Sequence, residues 1–288
     1  MTEASSPTVW RRWLAFELTR LRREAGLEQK DVARALRCTL TKVSYIENAE
    51  RPVVVRDLDE VLLPLYHVPE ERWPTYIEAA KNSRKKGWWE SYGVGVIAPW
   101  FSLYVGLEQG ASQIRTYQAQ VVPGMLQTPA YTEATARGEG VERREADIAR
   151  GIEFRSVRQE VLRREPSPLR FWAVLDEAVL RRVVGSRALM KDQLDHLVAM
   201  SRLPRVTLQV LSFDRGAHAA MTGPFAILGF PWQSDPGVVY IEVRSGAFYL
   251  ESSREMEVHT VAFEHLCAQA LTPEESVAKI IAVAEEYS

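Results

Sequence analysis

The sequence has only two cysteines in 288 residues and no apolar run long enough to cross a membrane. Cys38 and Cys267 are too far apart in sequence to form a zinc-ligand pattern, and two cysteines exclude a disulfide framework. The N-terminus reaches Trp10-Arg11-Arg12-Trp13 without the apolar stretch of a signal peptide. We therefore expect a cytoplasmic protein with no membrane partner.

The chain also lacks a large excess of either charge, with a formal net charge of −2 and a pI of about 6.3. Such an average argues against a nucleic-acid partner, because phosphate binding favours a basic surface. The charge is unevenly distributed, however. Residues 1–51 hold ten Lys and Arg against seven Asp and Glu, a net +3, which leaves −5 for residues 52–288. A mildly basic N-terminal region thus precedes an acidic remainder.

Patterns typical of catalysis or cofactor binding are missing as well. Neither Gly-x-Gly-x-x-Gly nor the P-loop pattern occurs, and no Ser or Cys nucleophile has an obvious companion. His259, His265 and Cys267 are spaced by six and then two residues, which fits no established zinc pattern. We expect no catalytic residue, no cofactor, no metal site and no enzyme activity.

The composition is that of a folded globular protein, with 46% apolar and 26% charged residues. The length suggests two domains. The composition changes after Lys81, where a basic run is followed by tryptophans and glycines. We predict an N-terminal domain over 1–81, a connector over 82–99 and a C-terminal domain over 100–288.

The N-terminal domain shows helical periodicity throughout. An amphipathic helix carries Leu14, Leu18 and Leu21 on one face and stops near Gly26. The pattern then predicts four more helices, over Gln29–Leu36, Leu40–Asn48, Arg56–Leu65 and Glu70–Lys81. The second and third are separated by three residues, and Thr39 is a plausible N-cap for the third. Two short helices joined in this way are typical of a helix-turn-helix.

Two stretches of this region closely resemble the XRE-type (lambda-repressor-like) DNA-binding head. They are Gly26-Leu27-Glu28-Gln29-Lys30-Asp31-Val32-Ala33-Arg34-Ala35-Leu36 and Val43-Ser44-Tyr45-Ile46-Glu47-Asn48. That resemblance implies an all-α five-helix bundle that binds double-stranded operator DNA. One departure is Arg37, which stands where the family usually has a glycine with positive φ. A left-handed non-glycine residue costs on the order of 1 kcal/mol, so we expect the turn to survive.

The resemblance implies which residues meet DNA. Gln29 would bond a phosphate and brace the third helix, whose exposed residues would face the major groove, with Ser44 nearer the backbone. Lys donates to guanine, Thr hydrogen-bonds to either base, and Leu contacts a thymine methyl. The predicted DNA-binding residues are Gln29, Thr39, Leu40, Thr41, Lys42, Ser44, Tyr45 and Arg51. A solvated face of an ordinary helical domain is the alternative interpretation of the same residues.

The C-terminal domain has mixed periodicity, which predicts an α+β fold on a largely antiparallel sheet. Predicted helices cover Phe101–Gly110, Pro129–Arg137, Glu142–Arg164, Glu177–Val184, Lys191–Ser201 and Glu274–Tyr287. Predicted strands cover Gln113–Val122, Leu169–Leu175, Thr207–Ser212, Phe225–Phe230, Val238–Val243 and Ala247–Glu251, the last two joined as a hairpin.

Segments of this domain resemble the domain that follows XRE heads in many actinomycete regulators. Among them are Val122-Pro123-Gly124-Met125-Leu126-Gln127-Thr128-Pro129-Ala130-Tyr131 and Val174-Leu175-Asp176-Glu177. The resemblance implies a regulatory or antitoxin-like module, often encoded beside a small partner protein. It does not identify a ligand.

Polar residues in these segments are candidates for binding a ligand or partner. Thr128 and Pro129 predict a capped helix start, and Arg155 and Arg158 lie on one face of a helix. With Glu177 the two arginines would line a polar pocket or form a buried ion-pair network, and the network is the preferred interpretation. The candidates are Pro123, Gln127, Thr128, Tyr131, Arg155, Arg158, Gln159, Glu177 and His218.

The sequence therefore predicts a sequence-specific transcriptional regulator that acts as a homodimer and is nucleoid-associated when bound to DNA. Its C-terminal domain would sense a small-molecule effector or a protein partner. The alternative is an antitoxin-like protein that sequesters a small protein encoded nearby and autoregulates its operon.

Overall fold

The computed structural model describes residues 6–93, 95–140, 143–232 and 235–288. The chain divides into two compact units. The first comprises Met1–Glu90 together with Pro231–Asp235, and the second comprises Ser91–Phe230 and Pro236–Ser288. The main division therefore falls within the predicted connector, and the sequence did not indicate that Pro231–Asp235 belongs to the first unit.

The first unit is helical, as predicted. Its α-helices within the described residues are α1 (Pro7–Glu24), α2 (Gln29–Ala35), α3 (Leu40–Glu47), α4 (Val55–Asp57), α5 (Leu63–Leu65) and α6 (Trp73–Asn82). Ser6 caps α1 by accepting a hydrogen bond from the Val9 amide at 3.2 Å. Gly26 follows α1 with φ 69°, as the predicted helix stop requires.

The predicted fourth helix contains a wider turn than expected. Between α4 and α5 the chain forms a π-helix, Leu58–Leu62, in which the Leu63 amide bonds to the Leu58 carbonyl. Pro64 lies one residue further on, has no amide hydrogen to donate, and its ring would clash with the Glu60 carbonyl in a regular α-helix. The wide turn is the local adjustment that this proline favours.

The core of the first unit is rich in large side chains. Trp13 stacks on Tyr76 with ring centroids 5.3 Å apart, and Trp232 packs 6.3 Å from both Trp10 and Trp13. Asp235 accepts two hydrogen bonds from the buried Arg12 guanidinium at 2.7 and 2.8 Å. These contacts account for the inclusion of Pro231–Asp235 in the first unit.

The second unit combines helices with one mixed sheet. Its α-helices among the described residues are α7 (Pro99–Gly110), α8 (Pro129–Gly138), α9 (Glu145–Gln159), α10 (Glu177–Arg181), α11 (Arg187–Met200), α12 (Ser253–Gln269) and α13 (Pro273–Glu285). The strands are β1 (Gln113–Gln118), β2 (Arg170–Asp176), β3 (Val206–Leu211), β4 (Phe225–Gly229), β5 (Val238–Val243) and β6 (Gly246–Leu250). Glu142, the predicted start of the long helix, lies outside the described residues.

The sheet has the order β3-β2-β1-β4-β5-β6 within the described residues. The pairs β1·β4, β4·β5 and β5·β6 are antiparallel, while β1·β2 and β2·β3 are parallel. The predicted α+β fold with a mostly antiparallel sheet is confirmed. The register places Thr116, Ala226 and Tyr240 side by side on one face.

The opposite face of the sheet packs under α12, a helix that the sequence analysis missed. Phe263 and Leu266 of α12 join Tyr117, Ile227 and Val239 in one buried cluster. Few positions of α12 are buried, and Val258 and Val261 are exposed, so its apolar periodicity is weak. The capping box formed by Ser252 and Glu255 was the signal that could have located its start.

No helix among the described residues is long and apolar enough to span a membrane.

Candidate nucleic-acid interface and C-terminal cavity

The turn between α2 and α3 has the geometry that the sequence required. Arg37 adopts φ 49°, the left-handed conformation for which a glycine would be usual. The Cys38 amide then bonds back to the Ala33 carbonyl at 2.9 Å. Thr39 caps α3 by accepting from the Lys42 amide at 3.3 Å. Both local predictions, the positive φ and the cap, are therefore confirmed.

A buried ion pair fixes the far end of α3. Arg22 donates two hydrogen bonds to the Glu47 carboxylate at 2.6 and 2.8 Å, and a third to the Leu27 carbonyl at 2.9 Å. Gln29 donates from Nε2 to the same carboxylate at 2.8 Å. Gln29 thus braces α3 as the resemblance implied. Its amide has a second N–H, so the phosphate contact stays a prediction.

The N-terminal half of α3 presents its side chains to solvent. Val43 and Ile46 are buried in the core of the first unit, whereas Thr39 and Thr41 are exposed and 52% of Leu40 is exposed. Ser44 and Tyr45 are half-buried on the same outward side. An apolar side chain held in water at the start of a braced helix is a feature suited to contact with a thymine methyl.

Lys42 is held by an ion pair that the sequence did not indicate. Its Nζ lies 2.6 Å from Oδ2 of Asp57, and both side chains are partly exposed. One of the three ammonium hydrogens is therefore engaged within the protein. A base contact by Lys42 would have to compete with Asp57.

Arg51 and Tyr45 form a small stacked unit. The Arg51 guanidinium lies 5.2 Å from the centroid of the Tyr45 ring, and the Arg51 amide bonds to the Tyr45 carbonyl at 3.1 Å. Arg51 is exposed, so its remaining hydrogen-bond donors face solvent. This arrangement suits a phosphate contact next to the groove-facing residues.

In the second unit, the predicted polar residues around Pro123 are brought together. The loop before α8 is held by Gln127, whose Nε2 bonds to the Val122 carbonyl at 2.7 Å, and by Gln159, which donates to the Gly124 and Gln127 carbonyls. Thr128 caps α8 through the Tyr131 amide, as predicted. The Tyr131 hydroxyl accepts from the Val122 amide at 3.2 Å.

Arg158 belongs to the preferred structural network, but with a different partner. It donates two hydrogen bonds of 2.7 Å to Glu108 of α7, and both side chains are buried. Burial opposes its charge, yet Glu108 holds the pKa of Arg158 above its ordinary value. The signal for Glu108 was a lone carboxylate within the apolar run Tyr104-Val105-Gly106-Leu107. Such a group requires a buried partner.

The predicted association of Glu177 with the two arginines is wrong. Glu177 pairs with Arg181 at 2.7 Å and Lys279 at 3.0 Å, and accepts from the Phe213 amide. These contacts connect α10 to α13 and to the end of β3. The reason is topological: Glu177 immediately follows β2, and its helix packs against α13.

His218 also lies in a separate cluster. Its Nε2 is 3.2 Å from the Tyr117 hydroxyl, which in turn donates to Asp176 at 3.2 Å. Its Nδ1 accepts from the Ala220 amide, so the contacts fix the loop after β3. His259 and Cys267 lie on α12 with His265, and no metal-ligand cluster occurs in the described part of the chain.

A cavity of about 230 Å³ lies against the sheet face that carries Thr116, Ala226 and Tyr240. Its other walls come from α7, α9 and the loop before α8, and they include Phe101, Tyr104, Arg155 and Arg158. Pro123 and Gln127 line it too, whereas Thr128, Tyr131, Gln159, Glu177 and His218 do not. Phe101, Tyr104, Tyr240 and Glu242 were not anticipated, because the packing of α7 brings the first two to this wall and the register of β5 brings the other two.

Two family models match the chain, one after the other. A model described as "Domain of unknown function (DUF5753)" matches residues 101–282, and one described as "Helix-turn-helix domain" matches residues 13–73. The chain belongs to the DUF5753 family. Its N-terminal part is a helix-turn-helix domain of the kind found in DNA-binding regulators. Searches of curated proteins and of solved structures gave no match.

Proposed function

We propose that this DUF5753-family protein is a cytoplasmic, sequence-specific transcriptional regulator with an XRE-type head. The observation that carries the proposal is the exposed start of α3, where Leu40 and Thr41 face solvent on a helix fixed by Arg22, Gln29 and Glu47. A rigid helix with its N-terminal side chains free is what insertion into the major groove requires.

In this proposal the residues divide into two groups. Leu40, Thr41 and Tyr45 approach base edges, while Thr39, Ser44, Arg51 and the second amide hydrogen of Gln29 contact phosphates. Lys42 exchanges its ion pair with Asp57 for a contact with DNA. That exchange lowers the binding free energy that Lys42 contributes, because its ion pair with Asp57 is lost.

The regulator acts as a homodimer on a palindromic operator. One helix-turn-helix covers a single half-site and supplies few base contacts, so two copies one helical turn apart provide the affinity and the specificity. The net charge of only +3 over residues 1–51 supports a small number of phosphate contacts and hence a modest salt dependence.

The C-terminal domain receives the signal in this proposal and catalyses no reaction. Its charged and titratable groups Glu177, His218 and Arg158 are engaged in contacts that hold helices and loops together. An antitoxin-like role, as in actinomycete regulators encoded with a small protein, is the second candidate. It is favoured by exposed Val121 and Val183, which line an open groove of about 510 Å³ suited to an apolar partner segment.

Selection of bound sequences from a random duplex library by the full chain tests the proposal. We expect a palindromic consensus, from which Thr41→Ala loses about 1 kcal/mol of binding energy confined to one or two base positions. Gln29→Ala should weaken binding to all sequences alike. Thr75→Ala, an exposed threonine on α6, is the matched control.

Two results would overturn the groove assignment. One is the recovery of no consensus by the wild-type chain. The other is a loss with Thr41→Ala or Lys42→Ala that is equal at every base position. Asp57→Asn sharpens the test, because releasing Lys42 should tighten binding about two- to fivefold by anisotropy titration. Co-purification with a small neighbouring gene product, without a consensus, would favour the antitoxin-like role.

A further inference from the structure

Arg155 is a half-buried cation of the second unit that receives little compensation from the protein. Within the described residues its one hydrogen bond runs from Nη1 to Oε1 of Gln127, and it forms no ion pair with any of them. A guanidinium has five N–H donors, so four of them have no acceptor in the part of the chain that the structure describes. Burial and the neighbouring Arg158 lower the pKa of Arg155 to about 10, and the side chain stays charged at neutral pH.

The position of Arg155 distinguishes it from a structural arginine. It lines the 230 Å³ cavity, a smaller neighbouring cavity of about 180 Å³ and the open 510 Å³ groove. Arg158, one turn further along α9, instead has an ionic partner in Glu108 and lies over the Phe101 ring. The unused donors of Arg155 therefore border the spaces that a ligand would enter.

A negative charge lies in the same walls. Glu242 lines both the 230 Å³ and the 180 Å³ cavities together with Arg155 and Phe101. Glu242 acts on Arg155 electrostatically but does not form an ion pair with it. A simple carboxylate ligand would be repelled by Glu242, and a simple amine would be repelled by Arg155. A small molecule that carries both charges matches the two side chains.

The rest of the wall favours an apolar body on that molecule. Phe101, Tyr104 and Phe171 line the cavity, and the Tyr240 ring packs at a tilt against the Tyr104 ring with centroids 4.3 Å apart. The Tyr240 hydroxyl is buried and makes no hydrogen bond of normal geometry to a described residue. The Glu242 carboxylate is near enough to interact with it electrostatically. An unsatisfied buried hydroxyl is costly unless a ligand or water completes it.

We infer that this cavity binds a free amino acid with an apolar side chain. Its carboxylate bonds to Arg155, its ammonium group faces Glu242, and its side chain packs against Phe101, Tyr104 and Tyr240. A volume of about 230 Å³ is below the range of drug-sized ligands and is suited to a molecule of this size. The inference rests on the proposed function in one respect: it treats the bound amino acid as the signal that the C-terminal domain receives.

Calorimetric titration of the full chain tests the site, with L-phenylalanine and L-leucine as probes. Phenylalaninamide lacks the carboxylate charge and 3-phenylpropanoate lacks the ammonium group. We expect one or both amino acids to bind in the micromolar to millimolar range, and each phenylalanine analogue to bind at least tenfold more weakly than phenylalanine.

Three variants assign the contacts. Arg155→Gln should weaken amino-acid binding at least tenfold. Glu242→Gln should weaken it several-fold and should tighten binding of 3-phenylpropanoate, because the repulsion of its carboxylate is removed. Arg150→Gln, on the same helix but outside the cavities, is the control. It should change the affinity for the amino acid and the affinity for 3-phenylpropanoate by no more than twofold. Unfolding curves of each variant establish that the fold is kept.

Absence of binding by both amino acids would overturn the inference. So would equal binding of phenylalanine and 3-phenylpropanoate, or unchanged binding by folded Arg155→Gln. The titration contains no DNA, so its failure leaves the DNA-binding proposal standing. Failure of the library selection likewise leaves the titration interpretable.

Discussion

Arginines with little exposure to solvent are used differently in the two units. In the first unit Arg22 directs three hydrogen bonds to Glu47 and Leu27, and the same carboxylate accepts from Gln29. In the second unit Arg155 has one hydrogen bond and no ion-pair partner among the described residues. A guanidinium with an ionic partner fixes a helix, whereas one without such a partner beside a cavity has capacity left for a ligand.

Arg158 makes the comparison stronger, because it shares α9 with Arg155 and yet resembles Arg22. Its two bonds to Glu108 and the rings of Phe101 and Phe154 leave it enclosed by protein contacts. The two arginines of α9 therefore differ in whether the protein supplies an ionic partner: Arg158 has Glu108, and Arg155 has none among the described residues.

The largest effect is expected when the buried Arg158–Glu108 ion pair of the second unit is broken. Glu108→Ala leaves Arg158 buried and uncompensated, and should destabilise the second unit by about 3 to 5 kcal/mol. The urea midpoint of the full chain measures the loss. Glu133→Ala, which breaks the exposed pair with Arg137, is the control and should cost at most about 1 kcal/mol. Equal costs for the two variants would contradict the structural role of Glu108.

A smaller loss is expected from the corresponding change in the first unit. Glu47→Ala removes the acceptor of Arg22 and Gln29, and should cost about 2 to 3 kcal/mol, because hydrogen bonds to a charged group are lost at a nearly buried site. Hydrogen exchange of the α3 amides reports the loosening, and DNA affinity should fall for all sequences together. Glu50→Ala, an exposed acid just beyond α3, is the control. Unchanged exchange in α3 would show that Glu47 does not brace it.

Features set by a few adjacent residues could be predicted from the sequence. The Thr39 cap, the Gly26 stop and the positive φ of Arg37 each depend on local geometry, and the structure confirms all three. Element types were also predictable where periodicity was strong. The missed α12 has few buried positions, so its pattern is weak for a physical reason.

Contacts between distant residues were beyond the sequence. Glu108 and Arg158 are fifty residues apart, and Arg12 meets Asp235 only because Pro231–Asp235 belongs to the first unit. Likewise, Tyr240 reaches the cavity through the register of β5 with β4. The polar residues around Pro123 were identified, but Glu177 was grouped wrongly because the packing of α10 on α13 was unknown.

The smallest effect, and the one that best separates the two kinds of arginine, concerns Arg155 itself. Arg155→Met removes a half-buried charge that has no ionic partner among the described residues, so we expect stability to be unchanged or to rise by up to about 1 kcal/mol. Gln127 keeps the Thr132 hydroxyl as a hydrogen-bond partner at 3.2 Å in this variant. Arg158→Met, one turn away, should instead cost several kcal/mol, because Glu108 is then buried without its partner. Urea unfolding of both variants without added amino acid measures the two changes in stability. A loss with Arg155→Met as large as that with Arg158→Met would make Arg155 a structural residue, and would remove the distinction on which the binding site depends.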